Sequence, residues 1–300
     1  MKSILKHKAF LQRTAGRLVF VAVLALVFTA FSCMQQKAGA VKSPQGYNLD
    51  APVKYVLPLS LTEISGHTFY KGDPKTIYAQ QDEDGKLFYF GFGDKDVKHV
   101  KFAGHGDYED IAICKEQVII LRSDGTLIVF PFSSVRTNQA AAQAKTYDAI
   151  LPKGEYEGMY GDEKTGLLYI LCKTCKGDKK EKATNGYIFS LAANGVIKES
   201  GNFSIGTTAI EDLTGKKKLK FAPSALAKNP RTNEWYILSS VNKLLVVADA
   251  NWNVKQAYPL KASLFPQPEG IAFDKYNNLY ISNEGSNLAG GNILKFTYKK

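Results

Sequence analysis

The chain has 300 residues, of which 45% are hydrophobic and 22% charged, and its formal net charge is +11. This composition excludes an intrinsically disordered chain and a coiled coil, and the length is sufficient for a sizeable hydrophobic core. With 17 phenylalanines and 16 tyrosines against two tryptophans, the chain is rich in aromatic residues that strands favour.

The first 32 residues have the pattern of a secretory signal peptide. They contain five basic residues and no acidic one, and an apolar run of 14 residues extends from Leu18 to Phe31. This run is short for a transmembrane helix but fits the hydrophobic region of a signal peptide. It leads into Ala30-Phe31-Ser32-Cys33, which resembles the lipobox of bacterial lipoproteins. A plain signal peptide and an uncleaved anchor are the alternatives.

The lipobox resemblance implies three segments in the chain. Residues 1–32 would be removed, Cys33 would carry the lipid, including palmitate, and residues 33–50 would form a flexible tether to a domain over residues 51–300. A triacylated cysteine supplies enough acyl chain for stable anchoring. We therefore expect a monomer in the cell envelope, held by Cys33 to a membrane, with the outer membrane or cell surface favoured.

The positive charge does not indicate a nucleic-acid-binding protein. Removal of the five basic residues of the leader leaves 34 basic and 28 acidic residues, a net charge of +6. Several of the remaining lysines are clustered in two predicted loops, around residues 176–182 and 216–220. Since no stripe of basic and aromatic residues remains to follow a phosphate backbone, we expect no nucleic-acid partner.

The body of the chain repeats. Five segments share a serine or glutamate followed by small and apolar residues, a turn and a second apolar strand, at the positions Ser65, Glu109, Glu157, Ser224 and Glu269. The intervals are 44, 48, 67 and 45 residues. This period is typical of the four-stranded blades of a β-propeller.

The remaining strands of each blade follow from turns and from one similarity between segments. The dipeptides Asp84-Gly85, Asp124-Gly125 and Asn194-Gly195 predict hairpin turns. The last repeat ends after its third strand, while residues 53–59 match the outer-strand segment 254–260. The sequence therefore predicts an all-β, five-bladed propeller, with the strand near residues 53–59 completing the last blade and closing the ring.

The repeats resemble those of the SdiA-regulated family over about residues 52–298. The resemblance rests on the segments Glu63-Ile64-Ser65-Gly66, 106–112 and 266–272, and on the order and spacing of all five repeats. It implies a five-bladed propeller in a membrane-associated or secreted setting, with a calcium ion near its centre. Asp110 departs from the family pattern, because glycine is usual at its position.

Three glutamates are the candidate metal ligands. Glu109, Glu157 and Glu269 share one register at the start of the inner strands, which converge at one mouth of a propeller's channel. Carboxylates brought together raise each other's pKa unless a cation neutralises them, and hard oxygen ligands suit calcium. Alternatively, these glutamates bond to backbone amides of the neighbouring blade and brace the ring.

A second set of residues is expected around this site as a second shell or as ligand contacts. Ser65 and Ser224 occupy the glutamate register in the other two blades, and the ends of the next strands carry Asp82, Arg122, Lys173, Ser240 and Glu284. Asp82 and Glu284 would extend the acidic site. Arg122 and Lys173 would pair with the carboxylates or bind an anionic ligand. Plain solvation of charged strand ends is the alternative.

The Cys172-Lys173-Thr174-Cys175 segment has the spacing of a redox site or half a zinc site. No second cysteine pair is available to complete a zinc site, because Cys114 stands alone and Cys33 is the expected lipidation site. In an exported protein a local disulfide is also compatible with this spacing.

Three functions remain open from the sequence. The first is a lipid-anchored, calcium-binding propeller that recognises an unknown small molecule or protein. The second is a calcium-dependent hydrolase, such as a lactonase or phosphoesterase, that uses the ion as a Lewis acid. The third is a structural interaction module without metal. The sequence assigns no catalytic residue.

Overall fold

Twenty strands form five four-stranded antiparallel sheets in the part of the chain that the computed structural model describes, residues 43–176, 178–286 and 289–300 apart from the side chain of residue 179. Each sheet is one blade of a β-propeller, so the predicted all-β, five-bladed fold is confirmed. The expected signal peptide and Cys33 lie outside the described residues. Within these ranges, no helix is long and apolar enough to cross a membrane.

Four blades consist of consecutive strands, and each of them proceeds along the chain from its innermost strand to its outermost. Blade 1 contains β2 (Ile64–Thr68), β3 (Ile77–Gln81), β4 (Asp84–Phe90) and β5 (Lys98–His105). Blade 2 contains β6 (Tyr108–Cys114), β7 (Gln117–Arg122), β8 (Leu127–Pro131) and β9 (Lys145–Tyr147). Blade 3 contains β10 (Gly154–Asp162), β11 (Leu167–Cys175), β12 (Ala183–Leu191) and β13 (Ile197–Gly206). Blade 4 contains β14 (Ala225–Lys228), β15 (Trp235–Ser239), β16 (Leu244–Ala248) and β17 (Val254–Pro259).

Blade 5 joins the two ends of the described chain. It contains β18 (Pro268–Phe273), β19 (Leu279–Asn283), β20 (Asn292–Phe296) and, as its outer strand, β1 (Val53–Val56). Strand β1 runs antiparallel to β20, with Val53 opposite Lys295. The predicted closure is therefore observed. The strand is shorter than the expected 53–59, because Pro58 has no N–H to donate and a 3₁₀ turn begins at Leu59.

The hydrophobic core consists of five clusters, each between two neighbouring blades. The two middle strands of a blade are covered on both faces, which explains their continuous apolar runs: every residue of β15 and β16 is buried. The outermost strands are covered on one face only, and burial alternates through the centre of β5, with Val100 and Phe102 buried and Lys101 exposed between them.

Among the described residues, four short helices lie in the connections between strands. They are α1 (Ser133–Arg136), α2 (Ala140–Gln143), α3 (Asp178–Glu181) and α4 (Thr207–Thr214). Helix α4 ends at Gly215, whose φ of 69° is the left-handed conformation that ends many helices. This helix and the segment after it account for the interval of 67 residues between the third and fourth repeats.

Packed structure begins before residue 51, where the sequence placed the start of the domain. Tyr47 and Leu49 are buried between blades 4 and 5. The Tyr47 hydroxyl donates to the Asn277 carbonyl at 2.7 Å, and the Lys299 amide donates to the Gly46 carbonyl at 2.8 Å. The last residues assigned to the tether are therefore part of the propeller, because an apolar side chain and a phenol ring fill space in its core.

One predicted turn is wrong. Asp84 and Gly85 already belong to β4, and Asp84 pairs with His105 of β5. A Cβ at Gly85 would lie 2.5 Å from the Ala103 carbonyl oxygen, so the glycine allows a close approach between strands rather than a turn. The other two predicted turns are present, with φ of 85° at Gly125 and 80° at Gly195.

Tyr47→Ala is expected to lower the free energy of unfolding by about 3–5 kcal/mol, the usual cost of removing a large buried aromatic side chain. Urea denaturation of the chain from residue 43 onwards measures this change. Tyr276→Ala is the matched control, because Tyr276 is 64% exposed. This control should change stability by less than about 1 kcal/mol. A loss of stability in Tyr47→Ala no larger than that in the control would contradict a stabilising role of Tyr47 in the propeller.

Candidate functional site at the channel mouth

Three inner strands interrupt their pairing at the glutamate of the repeat. The register shifts lie between Tyr108 and Asp110 in β6, between Tyr156 and Gly158 in β10, and between Pro268 and Gly270 in β18. Glu109, Glu157 and Glu269 are thus the extra residues of three β-bulges. A bulge redirects a side chain away from the regular alternation of the strand, and here it turns the carboxylates into the channel.

A cavity of about 430 Å³ lies at this mouth, and most of the predicted site residues line it. Besides the three glutamates, the lining includes Ser65 and Ser224, which occupy the glutamate register in the other blades. It also includes four of the predicted strand ends, namely Asp82, Lys173, Ser240 and Glu284. Residues spread over more than 200 positions of sequence are therefore brought to one place by the ring.

Arg122 is the exception among the predicted residues. It does not line the cavity; its Nη2 atom pairs with Asp124 Oδ2 at 3.2 Å. Arg122 is the last residue of β7 and the first residue of the hairpin turn that leads to β8, and Asp124 belongs to the same turn. The guanidinium thus turns to an acidic partner in its own turn, and its expected place at the site is not supported by the structure.

The cavity has further lining residues that the sequence did not predict: Asp107, Ala222, Val241, Lys243 and Gln267. Three of them share a signal in the repeat, since Asp107, Ala222 and Gln267 each stand two residues before the register position. Alternate residues of an extended segment point to one side, so this position was predictable. Lys243 and Val241 lie in the turn after β15 and have no such signal.

The cavity holds an excess of negative charge. Among the described residues, six carboxylates and two lysines line it. The Lys173 ammonium forms an ion pair with Glu157 and lies 3.3 Å from Glu155 Oε1. The Lys243 ammonium donates to the Pro266 carbonyl. The lysines therefore leave most of the negative charge of the cavity without a cationic neighbour from its lining.

Burial and mutual repulsion shift the carboxylates of the cavity towards the protonated form. Burial, followed by the charges of Glu157 and Asp107, raises the pKa of Glu109 to about 9. Burial raises the pKa of Glu157 to about 7, although the hydrogen bond from Lys173 opposes it. Burial also raises the pKa of Glu269. Protonation of these carboxylates therefore stabilises the folded protein.

The acidic strand ends behave in the same way. Burial, with the charges of Glu63 and Glu284, raises the pKa of Asp82 to about 6. Burial and the charge of Glu269 raise the pKa of Glu284. The Gln267 side-chain amide donates a hydrogen bond to Glu284 Oε2 at 2.8 Å, which partly offsets the desolvation of this carboxylate. Asp82 and Glu284 therefore extend the acidic cluster beyond the three glutamates.

Asp110 and Ser224 form hydrogen bonds between neighbouring blades, and the side chains of Ser240 and Ser224 in blade 4 also hydrogen-bond to Glu269 of blade 5. Asp110 is buried and accepts hydrogen bonds from the amides of Ile111 and, in blade 3, Met159, both at 2.7 Å. The Ser224 hydroxyl donates to the Pro268 carbonyl of blade 5 at 2.9 Å. A Cβ at Gly66 would lie 2.8 Å from the Asp110 Cα, so the facing position in blade 1 has no room for a side chain.

The cysteine pair on β11 forms a disulfide between Cys172 and Cys175. Asp178 is close to both sulfurs, and the three side chains together have the proximity of a metal site. Zinc binds thiolates, however, and both sulfurs are engaged in the disulfide. The buried Cys114 is the one free cysteine among the residues that the structure describes.

Comparisons with known proteins identify a family and a fold. The family model described as SdiA-regulated matches residues 42–288, which confirms the resemblance seen in the sequence. No curated protein gives a significant match.

Solved structures resemble the chain at low sequence identity. A luciferin-regenerating enzyme is similar with a TM-score of 0.51 and 10% identity over 82% of this chain and 95% of its own. Regucalcin from Agrobacterium tumefaciens, a calcium-binding protein, has a TM-score of 0.49 and 12% identity over 83% of this chain and 96% of its own. Streptogramin B lyase has a TM-score of 0.45 and 11% identity over 82% and 98%.

The acidic cluster predicts that the metal-free protein loses stability as the pH rises. The unfolded chain releases glutamate protons near about pH 4.3. In the folded chain, Glu157 keeps its proton to about pH 7 and Glu109 keeps its proton to about pH 9. Between these limits the folded state binds more protons, so the free energy of unfolding falls with increasing pH.

Urea denaturation at several pH values from 5 to 9 in the presence of EDTA measures this slope. The variant Glu109→Gln/Glu157→Gln/Glu269→Gln should show a flatter profile, because its amides do not titrate. A profile that rises from pH 5 to pH 9 in the unmodified protein would contradict the assignment of these carboxylates to one buried cluster.

Proposed function

This chain belongs to the SdiA-regulated family, and we propose that it is a lipid-anchored envelope protein whose channel mouth binds a calcium ion and recognises a ligand or partner there. The cation site and the anchor are separable. The geometry of the cavity supports the first, and the N-terminal sequence supports the second.

The cation site is supported by the convergence of three glutamates, each the extra residue of a β-bulge, in one cavity. The lining of this cavity has six carboxylates, including these three, and two lysines. Like charges at this density are costly when they are partly removed from water. A bound divalent cation offsets this cost more effectively than protonation at neutral pH, because it stays close to several carboxylates at once.

The donor set fits calcium. Glu109, Glu157 and Glu269 would hold the ion, and they offer the hard oxygen atoms that calcium prefers in variable numbers and geometry. Asp82 adds a second observation, because its Oδ1 atom is buried without a hydrogen-bond partner among the described residues. Once bound, the ion supplies a positive centre that attracts carboxylate, phosphate or carbonyl oxygens of a ligand.

The remaining residues of the mouth would shape recognition. Lys173 and Lys243 line the same cavity as the acidic cluster and can bind an anionic group of a ligand once a divalent cation has taken over the carboxylates. Val241, which is 70% exposed, adds an apolar contact at the rim. The ligand that suits this combination is a small molecule or protein segment with an oxyanion beside an apolar group.

The anchor rests on the segment Ala30-Phe31-Ser32-Cys33 after a basic, apolar leader. Lipidation of Cys33 would tether the propeller to the outer membrane or cell surface. Residues 34–42 would then provide the short link between the lipid and the described part of the chain.

Calcium is expected to stabilise the protein at neutral pH. At a hundredfold excess over its Kd, a ligand adds about 2.7 kcal/mol to the free energy of unfolding, or about 5–10 °C to the melting temperature. Differential scanning calorimetry and isothermal titration calorimetry of the EDTA-treated protein measure both quantities. The triple variant Glu109→Gln/Glu157→Gln/Glu269→Gln should remain folded and lose the response.

A matched control removes three carboxylates from exposed positions, in the variant Asp50→Asn/Glu199→Gln/Asp212→Asn. It should keep the full calcium response. An unchanged melting temperature of the unmodified protein with EDTA and with calcium would overturn the cation site and favour the structural interaction module. Calcium-dependent turnover of lactones or phosphoesters, lost in the triple glutamine variant, would instead favour the hydrolase.

Cys33→Ala is expected to release the protein from the membrane fraction and to abolish incorporation of labelled palmitate. Cell fractionation with immunoblotting measures the first effect, and metabolic labelling the second. Cys114→Ala, which alters a buried cysteine of the propeller, should leave both unchanged. Palmitate labelling that persists in Cys33→Ala would contradict the lipobox assignment.

A further inference from the structure

Two adjacent bulges face each other between β10 and β11. Glu155 pairs with Thr174 and Tyr156 with Cys172, so Lys173 is an extra residue on β11. The next pair is Gly158 with Leu171, which leaves Glu157 as the extra residue on β10. The bulges bring together the two side chains that do not take part in regular pairing, and these side chains form the ion pair of the cavity.

The disulfide encloses the bulge that carries Lys173. It links Cys172 and Cys175, with Cα atoms 6.0 Å apart, one residue before and two residues after the lysine. A Cβ at Gly154, opposite Cys175 on β10, would lie 2.5 Å from the Cys175 sulfur. The disulfide therefore packs directly on the backbone of β10, and it restricts the conformations of the segment that presents Lys173.

The contacts of Lys173 indicate a lysine held in place rather than a solvated one. Its side chain is 25% exposed, and the Glu157 side chain with which it pairs is 8% exposed. A second carboxylate, that of Glu155, lies 3.3 Å from the ammonium. Asp178 Oδ2 accepts a hydrogen bond from the Cys175 amide at 2.8 Å, which fixes the far end of the same segment.

We propose that Lys173 is the built-in cation of the channel mouth, held against Glu157 by the Cys172–Cys175 disulfide, and that it thereby limits the affinity of the site for a divalent cation. This inference rests on the proposed cation site for its second half. Its first half, the holding of Lys173 by the disulfide, does not depend on a metal.

A change of redox state would then change the site. Reduction by a dithiol breaks the S–S bond and yields two thiols, while the dithiol becomes a disulfide, so that two electrons and two protons are transferred. The freed segment no longer holds the ammonium at Glu157, and the carboxylates become more available to a divalent cation. The oxidised form is the lower-affinity form of the site.

The metal-free test is the labelling of Lys173. In EDTA, the rate of acetylation of Lys173 by a water-soluble N-hydroxysuccinimide ester is measured by peptide mass spectrometry in the unmodified protein and in Cys172→Ser/Cys175→Ser. We expect the rate to increase at least about threefold when the disulfide is absent, because ordering of a long side chain is worth a factor of this size. Lys243, in the same cavity, should be labelled equally in both proteins.

The second test measures calcium affinity in a double-mutant cycle. Lys173→Met keeps an unbranched side chain that is one atom shorter and removes the charge, and it should strengthen calcium binding at least about tenfold. Cys172→Ser/Cys175→Ser should strengthen binding about three- to tenfold, and this gain should vanish in the Lys173→Met background. In a Lys243→Met background, the gain from removing the disulfide should persist.

The outcomes separate this inference from the proposed function. Equal labelling of Lys173 with and without the disulfide overturns the inference, whatever the metal does. A gain in calcium affinity from removing the disulfide that persists in Lys173→Met overturns it as well. Disulfide-dependent labelling without calcium binding in any variant would overturn the cation site and support the holding role of the disulfide.

Discussion

The interruption of pairing at one register of the inner strands is the feature on which the site depends. In a closed ring of five blades the inner strands approach each other closely, and regular alternation would send the register side chains towards a neighbouring blade. A bulge changes this direction and leaves the extra residue facing the channel. The same position therefore serves packing and chemistry: Glu109 faces the cavity, and the next residue, Asp110, bonds to blade 3.

The electrostatics of the channel mouth oppose those of the chain as a whole. The chain has an excess of basic residues, yet the cavity is lined by three times as many carboxylates as lysines. A uniformly basic surface attracts polyanions, whereas an acidic cavity with low-dielectric walls concentrates cations. The local arrangement of charges, rather than the net charge of the chain, sets the electrostatic potential at the channel mouth.

Much of the fold was predictable, because the propeller repeats one unit. The period of the motif gives the number of blades, and the similarity of residues 53–59 to 254–260 gives the closure. The three glutamates, Asp82, Lys173 and Glu284 were predictable as neighbours for the same reason, since equivalent positions meet at one mouth. In a repeat protein of this kind, residues at equivalent positions of the repeats therefore lie close together in the structure.

The exceptions arise where local contacts override the repeat. Arg122 occupies the expected register but pairs with Asp124 in its own turn. Asp84-Gly85 has the composition of a hairpin turn, but the glycine accommodates the close approach of β5. Lys243 lies in a turn outside the repeat, and Tyr47 belongs to a polar segment whose packing is visible only when blades 4 and 5 are assembled. Tertiary contacts of this kind leave no periodic signal.

Because the ring is closed by the first and last strands, blade 5 can be completed only after the whole propeller has been synthesised. Strand β1 is the first strand of the propeller to leave the ribosome, but its partner β20 is the last. The other four blades can form from consecutive hairpins, whereas Val53 must wait for Lys295 before blade 5 is complete. Contacts between such distant residues form slowly. During synthesis, β1 therefore remains an unpaired edge for longer than any other strand that the structure describes.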